Sequence, residues 1–289
     1  MSILLVVLLV MLDLGLMALI IVAWVAWKVF RRPLHHPGQY LLERSKRPRP
    51  EVLVCCAGDS LTHATISASY VDILRQRLEP DGYFFINAGV NSELAYNVFQ
   101  RLEQLVVCQP DVVTLLIGTN DVNATMSEGN LRRYMRSNQL PQEPTLAWYR
   151  ENVVRIVRTL KEKTSARIAL ISPPVLGEGL GEESNRRVAR YAAELSQLAR
   201  EQHVAYLPLF ELMVEELEET RHVPRRSFEA GVMGMARDWL KQYLLKQSYD
   251  RISEDNGYYF LTDGIHLNTR AARLVARLIE DFLQQGTKR

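Results

Sequence analysis

A serine stands at the end of an apolar run in the stretch VLVCCAGDSLT, residues 52–62. The run is rich in valine and leucine and ends at Gly58, which is typical of a buried strand in a parallel sheet, and the residues after it have helical spacing. Ser60 therefore lies where a strand turns into a helix, at the sheet edge where ligands bind. A serine there acts as a nucleophile if a base reaches it, and otherwise it caps the helix.

A base candidate stands near the other end of the chain, in the stretch LTDGIHLN, residues 261–268. Asp263 and His266 lie three residues apart in a glycine-containing turn. The carboxylate can hydrogen-bond one imidazole nitrogen while the other nitrogen faces Ser60. Alone, His266 is equally well explained as a polar turn residue, but with Ser60 and Asp263 it completes the groups needed for acyl transfer.

Two further polar stretches follow predicted strands. They are NAGVN, residues 87–91, and GTND, residues 118–121. A tetrahedral oxyanion needs hydrogen-bond donors that are fixed in advance, and a backbone N–H at a glycine together with a side-chain amide would supply them. Taken singly, each stretch is an ordinary Gly/Asn loop.

The order of these stretches carries more information than any one of them. GDSL at residues 58–61, Gly89 after the second strand, GTND and DGIH resemble the four sequence blocks of the SGNH (GDSL-type) hydrolase family, from about residue 51 to residue 285. The resemblance implies that Ser60 is the nucleophile and that its backbone N–H contributes to the oxyanion hole. It also implies that Gly89 gives a second backbone N–H and Asn120 a side-chain amide.

The same resemblance implies that His266 is the general base and that Asp263 orients it. Asp59 and Asp121, next to the nucleophile and the amide in their motifs, are expected to support the site. The sequence departs from the family pattern in the second block, where Asn-Ser-Glu at residues 91–93 replaces a second small glycine.

Five strand-like runs alternate with helical segments, which is typical of a doubly wound α/β sheet. The predicted strands are Val52–Ala57, Tyr83–Asn87, Val112–Ile117, Arg167–Ile171 and Val204–Pro208. The predicted helices are Ala64–Leu78, Ser92–Leu105, Thr145–Lys163, Glu183–Gln202 and Thr269–Gln284. We expect a flavodoxin-like three-layer α/β/α sandwich with a five-stranded parallel sheet in the order 2-1-3-4-5; the strand order rests partly on the family resemblance.

Composition allows one such domain and an appendage. The chain has 289 residues, 47% of them hydrophobic, and a net charge of +2, which leaves room for a domain of about 240 residues. Nothing in it indicates a nucleic-acid partner. Cys55, Cys56 and Cys108 show neither metal-ligand spacing nor an even disulfide set, and we expect no metal and no cofactor.

The appendage is an apolar run from Ile3 to Trp27, interrupted only by Asp13 and Gly15. It is long enough to cross the hydrocarbon core as a tilted helix. A cleavable signal peptide is the alternative, but no basic residues precede the run and no small-x-small cleavage site follows it. The predicted partner of this segment is the membrane.

Basic residues follow the apolar run, and a short proline-containing linker carries most of them: Lys28, Arg31, Arg32, Arg44, Lys46, Arg47 and Arg49. By the positive-inside rule the catalytic domain should face the cytoplasm; export is the alternative, because many relatives are exported. The expected organisation is an anchor at residues 1–30, the linker at 31–50 and a hydrolase domain at 51–289.

Two segments look like additions around the site edge. Residues 122–144 are expected to form a loop with a short helix beside the oxyanion site, and residues 211–256 are longer than an ordinary connection. The second segment contains Met233, Met235, Trp239, Tyr243 and Leu244 at spacings that give a helix one apolar face. It is either a lid or membrane-contacting helix that admits a lipid-like ester, or an extra helix packed on the core.

The sequence thus predicts a membrane-anchored serine esterase that hydrolyses a carboxylic ester of a lipid, a sugar or another acylated small molecule through an acyl-enzyme. An O-acyltransferase with the same residues and a catalytically silent binding module are the alternatives. Oligomeric state and acyl chain length have no signal in the sequence.

Overall fold

One sheet of five parallel strands forms the centre of the protein in the computed structural model, which describes residues 3–46, 48–228 and 232–285 and, at residues 3–5, 7, 10 and 232–236, the backbone alone. The strand order is β2-β1-β3-β4-β5, so the predicted flavodoxin-like order is confirmed. The strands are β1 (Val52–Gly58), β2 (Tyr83–Gly89), β3 (Val112–Leu116), β4 (Arg167–Ile171) and β5 (Ala205–Leu207).

Helices cover both faces of this sheet. In chain order they are α1 (Ile3–Phe30), α2 (Pro37–Glu43), α3 (Ser60–His63), α4 (Tyr70–Leu78), α5 (Ala95–Gln100), α6 (Glu103–Val106), α7 (Thr119–Ala124), α8 (Glu128–Ser137), α9 (Leu146–Lys163), α10 (Glu183–Glu201), α11 (Leu209–Glu219), α12 (Val232–Leu244), α13 (Tyr249–Asn256) and α14 (Thr269–Gln284). Two short 3₁₀ turns are Arg44–Lys46 and Glu79–Asp81.

The core is divided by the sheet, because side chains of a strand point alternately to its two faces. Cys55 is buried in the core between the sheet and helices α5, α9 and α10, whereas Cys56 is buried in the core shared with α4, α11 and α14. All three cysteines are buried and free. Apart from Thr114 of β3, the central strands β1 and β3 are built of apolar residues and a glycine, because helices cover both of their faces.

Two predicted helices are interrupted. The segment predicted as a helix over 64–78 begins earlier, as α3, and stops at Ala64, whose φ of 62° is left-handed. A new helix, α4, starts after Ser69, whose side chain accepts a hydrogen bond from the N–H of Asp72. Likewise the helix predicted over 92–105 is divided into α5 and α6. Helical spacing of apolar residues does not reveal such breaks because both pieces bury the same face.

Helix α1 is long and apolar enough to cross a membrane, judged by length and composition. Its 28 residues correspond to about 42 Å, and most of its described side chains are exposed. Its last turns contact the rest of the protein, where Val25 and Val29 are buried against Ile66, with Trp239 and Tyr243 of α12 packed on them.

The segment at 31–50, predicted as a solvated linker, contains α2 instead of irregular chain. Tyr40 of α2 packs on Phe84 of β2, with ring centroids 5.6 Å apart. Arg49 Nη2 lies 3.1 Å from Asp111 Oδ1. Arg47, part of the predicted basic cluster, lies outside the described residues.

The segment at 211–256 contains the end of α11 and all of α12 and α13. The predicted apolar helix corresponds to α12. Its Trp239 and Tyr243 pack against α1 and Ile66, whereas Leu244 is exposed. The side chains of Met233 and Met235 lie outside the described residues.

Candidate active site

Strand β1 ends at Gly58 in a turn so tight that no larger residue fits. A Cβ there would lie 2.3 Å from both Leu116 O and Thr62 Oγ1. Asp59 then caps α3, accepting a hydrogen bond from Leu61 N–H at 2.9 Å. Ser60 is therefore the first residue of α3, at the carboxyl edge of the sheet, as predicted.

The structure brings Ser60 and His266 together from opposite ends of the sequence. Ser60 Oγ lies 3.0 Å from His266 Nε2, and both residues are buried. On the other side of the ring, His266 Nδ1 lies 2.7 Å from Asp263 Oδ2. This chain of contacts is the arrangement in which an imidazole removes a proton from a hydroxyl while a carboxylate fixes its tautomer.

The turn that carries the histidine is held in place by the same carboxylate. Asp263 Oδ1 accepts hydrogen bonds from the N–H groups of Ile265, at 3.0 Å, and His266, at 2.9 Å. Burial alone would raise the pKa of Asp263, but the neighbouring His266 and these hydrogen bonds outweigh it and hold the pKa below its ordinary value. Gly264 has a φ of 90°, which a glycine adopts without strain.

A buried glutamate that sequence reasoning missed supports this turn. Glu178, which follows β4, accepts hydrogen bonds from the N–H groups of Tyr259, Phe260 and Leu261 at 2.6 to 2.9 Å. Its Oε2 also lies 2.9 Å from His222 Nε2. Burial raises the pKa of Glu178 against the opposing effect of these hydrogen bonds. The only sequence signal for Glu178 is an acidic residue just after a strand.

The N–H of Gly89, expected to be the second backbone donor of the oxyanion hole, has a partner within the protein. Gly89 N–H donates to Asn87 Oδ1 at 3.0 Å, and a Cβ on Gly89 would lie 2.1 Å from His63 N, so this glycine is required for packing. Ser92, not Gly89, lines the pocket beside Ser60. Ser92 has a φ of 65°, and within the described residues neither its N–H nor that of Ser60 has a hydrogen-bond partner.

Asn120 also lines the pocket, and both the oxygen and the nitrogen of its side-chain amide are hydrogen-bonded. Tyr134 Oη donates to Asn120 Oδ1 at 2.7 Å. Asn120 Nδ2 donates to Glu93 O at 2.9 Å and, over a longer distance of 3.3 Å, to Asp59 Oδ2. The tyrosine comes from α8, in the segment at 122–144 that the sequence places beside the oxyanion site.

The two aspartates expected to support the site are buried behind it. Asp121 accepts a hydrogen bond from Ala95 N–H at 3.2 Å. Burial raises the pKa of Asp121 to about 7, and it does the same to the pKa of Asp59, where the hydrogen bond from Leu61 N–H and the nearby His266 act in the opposite direction. Neither carboxylate lines the pocket.

Two further histidines, His63 and His222, pair with other residues. His63 Nδ1 lies 2.9 Å from Thr65 Oγ1, and burial lowers its pKa to about 4. His222 lies against Glu178, as described above. Among the described hydrogen bonds of Ser60 Oγ, the partner is His266.

A cavity of about 370 Å³ opens over Ser60 and His266. Ser92 and Asn120 contribute polar groups to its wall. This volume lies within the range of small-molecule sites.

Comparison with known proteins identifies the family of this chain. Residues 56–274 match the family described as GDSL-like Lipase/Acylhydrolase. A search of curated proteins found no match. One similar solved structure is the acetyl xylan esterase AlAXEase, at 18% identity and a TM-score of 0.59, with 80% of this chain and 100% of that chain covered.

A second similar solved structure is that of Axe2, an acetylxylan esterase from Geobacillus stearothermophilus, at 17% identity and a TM-score of 0.56, with 80% of this chain and 94% of that chain covered. Both likenesses confirm the fold. Because the family match spans most of the chain, the protein belongs to the GDSL-like lipase and acylhydrolase family and is an SGNH-type serine hydrolase acting on ester bonds.

Proposed function

We propose that the protein is a membrane-anchored esterase in which Ser60, His266 and Asp263 form the catalytic triad. The observation that carries the proposal is the 3.0 Å contact between Ser60 Oγ and His266 Nε2, with Asp263 Oδ2 2.7 Å from the far side of the ring. Three solved catalytic mutants of Axe2 replace a serine, a histidine, and an aspartate three positions before that histidine. The same residue types and the same Asp–His spacing support these roles here.

In the first half of the reaction, Ser60 Oγ attacks the ester carbonyl carbon while its proton passes to His266 Nε2. The carbonyl electron pair moves onto oxygen, giving a tetrahedral oxyanion. When the oxyanion collapses, the bond to the alcohol oxygen breaks and His266 returns the proton to that oxygen. Water then repeats the sequence on the acyl-enzyme and releases the acid and free Ser60.

The oxyanion is stabilised by three donors in this proposal. Ser60 N–H and Ser92 N–H provide the backbone pair in this proposal, since both residues line the pocket and neither N–H has a described partner. Asn120 Nδ2 is the third donor; the oxyanion competes with Asp59 Oδ2 for the longer, 3.3 Å hydrogen bond. Gly89 keeps a structural role. Removing one such donor typically lowers the rate by about a hundred- to a thousand-fold.

Helix α1 serves as a single-pass anchor in the same proposal, with the hydrolase domain on the cytoplasmic side. The buried contacts of Val25 and Val29 support retention of the helix, because its end is part of the folded protein. Lys28 beside Trp24 and Trp27, with Arg31 and Arg32 after them, supports an interfacial end facing the cytoplasm. Reporter enzymes fused to the C-terminus test this: activity only outside the cytoplasm contradicts the orientation.

The catalytic proposal is tested on the full chain in detergent with a fluorophosphonate probe and p-nitrophenyl acetate. The wild-type protein is expected to react with the probe and to hydrolyse the ester, whereas Ser60→Ala and His266→Ala lose both activities by orders of magnitude. Ser196→Ala, a serine on the outer helix α10, is the control and should match wild type. Labelling that persists in Ser60→Ala would contradict the assignment of the nucleophile.

Product analysis separates hydrolysis from acyl transfer. Free acid as the sole product, with and without an added alcohol, supports the esterase. Ester exchange with the added alcohol at the expense of free acid would favour a transferase that uses the same residues.

A further inference from the structure

The last turn of α1 lines the same cavity as the catalytic pair. Val29 and Phe30 are part of the cavity wall, together with Ser60 and His266. Phe30 is 67% exposed, whereas Val29 is 1% exposed. A helix that served only as a tether would end away from the site, so this placement calls for a role in the pocket.

The end of α1 is also hydrogen-bonded to the loop that carries the oxyanion donor. Val29 O accepts from Asn91 Nδ2 at 2.8 Å and from Thr65 Oγ1 at 2.7 Å. The last carbonyl groups of a helix have no partner within the helix; here one of them is paired with the residue immediately before Ser92. The position of this loop therefore depends on α1 being in place.

Residues of α12 and α13 contact Thr65, which also binds the end of α1. Tyr243 Oη donates to Thr65 O, and Tyr249 Oη donates to the same oxygen at 3.3 Å. Trp239 lines the cavity and packs with Val25 and Val29. The segment at 211–256 thus contacts the proposed anchor directly at the pocket.

The cavity wall carries two chemically different sets of side chains. Val29 and Phe30 of α1 contribute apolar side chains, and Ile66 and Trp239, which pack with Val29, contribute two more. Polar side chains come from α7, α8 and the residue after α8: Asn123, Arg133, Ser137 and Asn138. An ester with an apolar acyl chain and a polar alcohol matches these two sets, because the chain gains most from contact with the apolar set.

We propose that the last turn of α1 is the acyl-side wall of the active site, so that the enzyme takes esters of extended acyl chains from the membrane interface into which α1 passes. The proposal rests on the esterase and anchor functions proposed above and assigns the substrate class of that site. An acyl chain bound along Val29 and Phe30 lies next to the point where α1 enters the bilayer. The substrate reaches Ser60 from the membrane surface without crossing bulk water.

The test uses the full chain in phosphatidylcholine nanodiscs, with p-nitrophenyl octanoate and p-nitrophenyl acetate as the two probes. Wild type is expected to hydrolyse octanoate with the higher kcat/KM. Phe30→Ala is expected to lower the octanoate-to-acetate ratio of kcat/KM about tenfold, because part of the apolar wall is removed. Leu34→Ala is the matched control, since Leu34 is 70% exposed and lies outside the described cavity wall; its ratio should equal that of wild type.

A second, more conservative variant separates the loss of apolar contact from a folding defect. Phe30→Leu keeps an apolar side chain and helix propensity, and its ratio should fall between those of wild type and Phe30→Ala. An unchanged ratio in both Phe30 variants overturns the proposal, as does a wild type that hydrolyses acetate and not octanoate. Both results leave the esterase function intact, because that function fails only if wild type hydrolyses neither ester or Ser60→Ala remains active.

Discussion

Asp263 holds His266 by two hydrogen bonds at once: Oδ2 lies 2.7 Å from the ring Nδ1, and Oδ1 accepts from the backbone N–H at 2.9 Å. The ring and the chain that carries it are therefore fixed by one carboxylate. The second imidazole nitrogen is directed at Ser60 Oγ as a result.

Replacing Asp263 by asparagine is expected to lower kcat for p-nitrophenyl acetate by about 10³- to 10⁴-fold. The asparagine can keep the backbone contacts through its oxygen, but its NH₂ group would face Nδ1 and favour the wrong tautomer. Steady-state kinetics measure the effect. Asp81→Asn, at an exposed position, is the control, and a loss smaller than tenfold at Asp263 would contradict the orienting role.

Tyr134 fixes the amide of Asn120 through a 2.7 Å hydrogen bond to Oδ1. Tyr134→Phe is expected to lower kcat about tenfold, because the amide loses the contact that fixes its oxygen and with it the orientation of Nδ2, the proposed donor. KM should change less than kcat. In Tyr96→Phe, where the ring stacks on Trp148 at 5.0 Å between centroids, kcat should stay at the wild-type value. Equal kinetics in Tyr134→Phe and wild type would show that Asn120 needs no such support.

Glu178 accepts three backbone hydrogen bonds from residues 259–261, just before the turn that carries Asp263 and His266. Glu178→Gln replaces one acceptor oxygen by a donor that faces a backbone N–H. The free energy of unfolding is expected to fall by about 1 to 3 kcal/mol, with a loss of kcat. Chemical denaturation in detergent measures the stability. The exposed Glu215→Gln should leave it unchanged, and an equally stable Glu178→Gln would contradict the supporting role.

Asp121 is expected to make stability depend on pH. An unfolded aspartate loses its proton near pH 3.8, whereas burial raises the pKa of Asp121 to about 7. Between these values the folded protein keeps a proton that the unfolded chain has lost, so the free energy of unfolding decreases as pH rises from about 4 to about 7. Asp59 contributes in the same direction.

Asp121→Asn removes one of these two contributions while keeping an oxygen that accepts from Ala95 N–H. The variant should be more stable than wild type at pH 8, on the order of a few kcal/mol, and close to it at pH 4. Denaturation curves from pH 4 to 8 measure this difference. Asp72→Asn, whose side chain is 60% exposed in the wild type, is the control. Parallel pH profiles of Asp121→Asn and wild type would contradict the assignment.

The segments that become β-strands could be predicted because their apolar character is local. Val112–Leu116 and Arg167–Ile171 are strands within a residue of their predicted ends, since a strand buried on both faces is a nearly continuous apolar run. Ser60, Asn120, Asp263 and His266 could be named because each stands where a strand ends or in a short motif. The breaks after His63 and Gln100 could not, because they depend on how the chain turns against the sheet.

The residue types at the site and the order of its motifs are thus determined by the sequence alone. Which residues line the pocket was decided by tertiary structure: Gly89 N–H is hydrogen-bonded to Asn87, whereas Ser92 is part of the pocket wall. The roles of Glu178 and of Val29 arise in the same way, because their partners are distant in sequence. A hydrogen bond between distant residues forms only when folding brings donor and acceptor within about 3 Å, and no local pattern of residues encodes that distance.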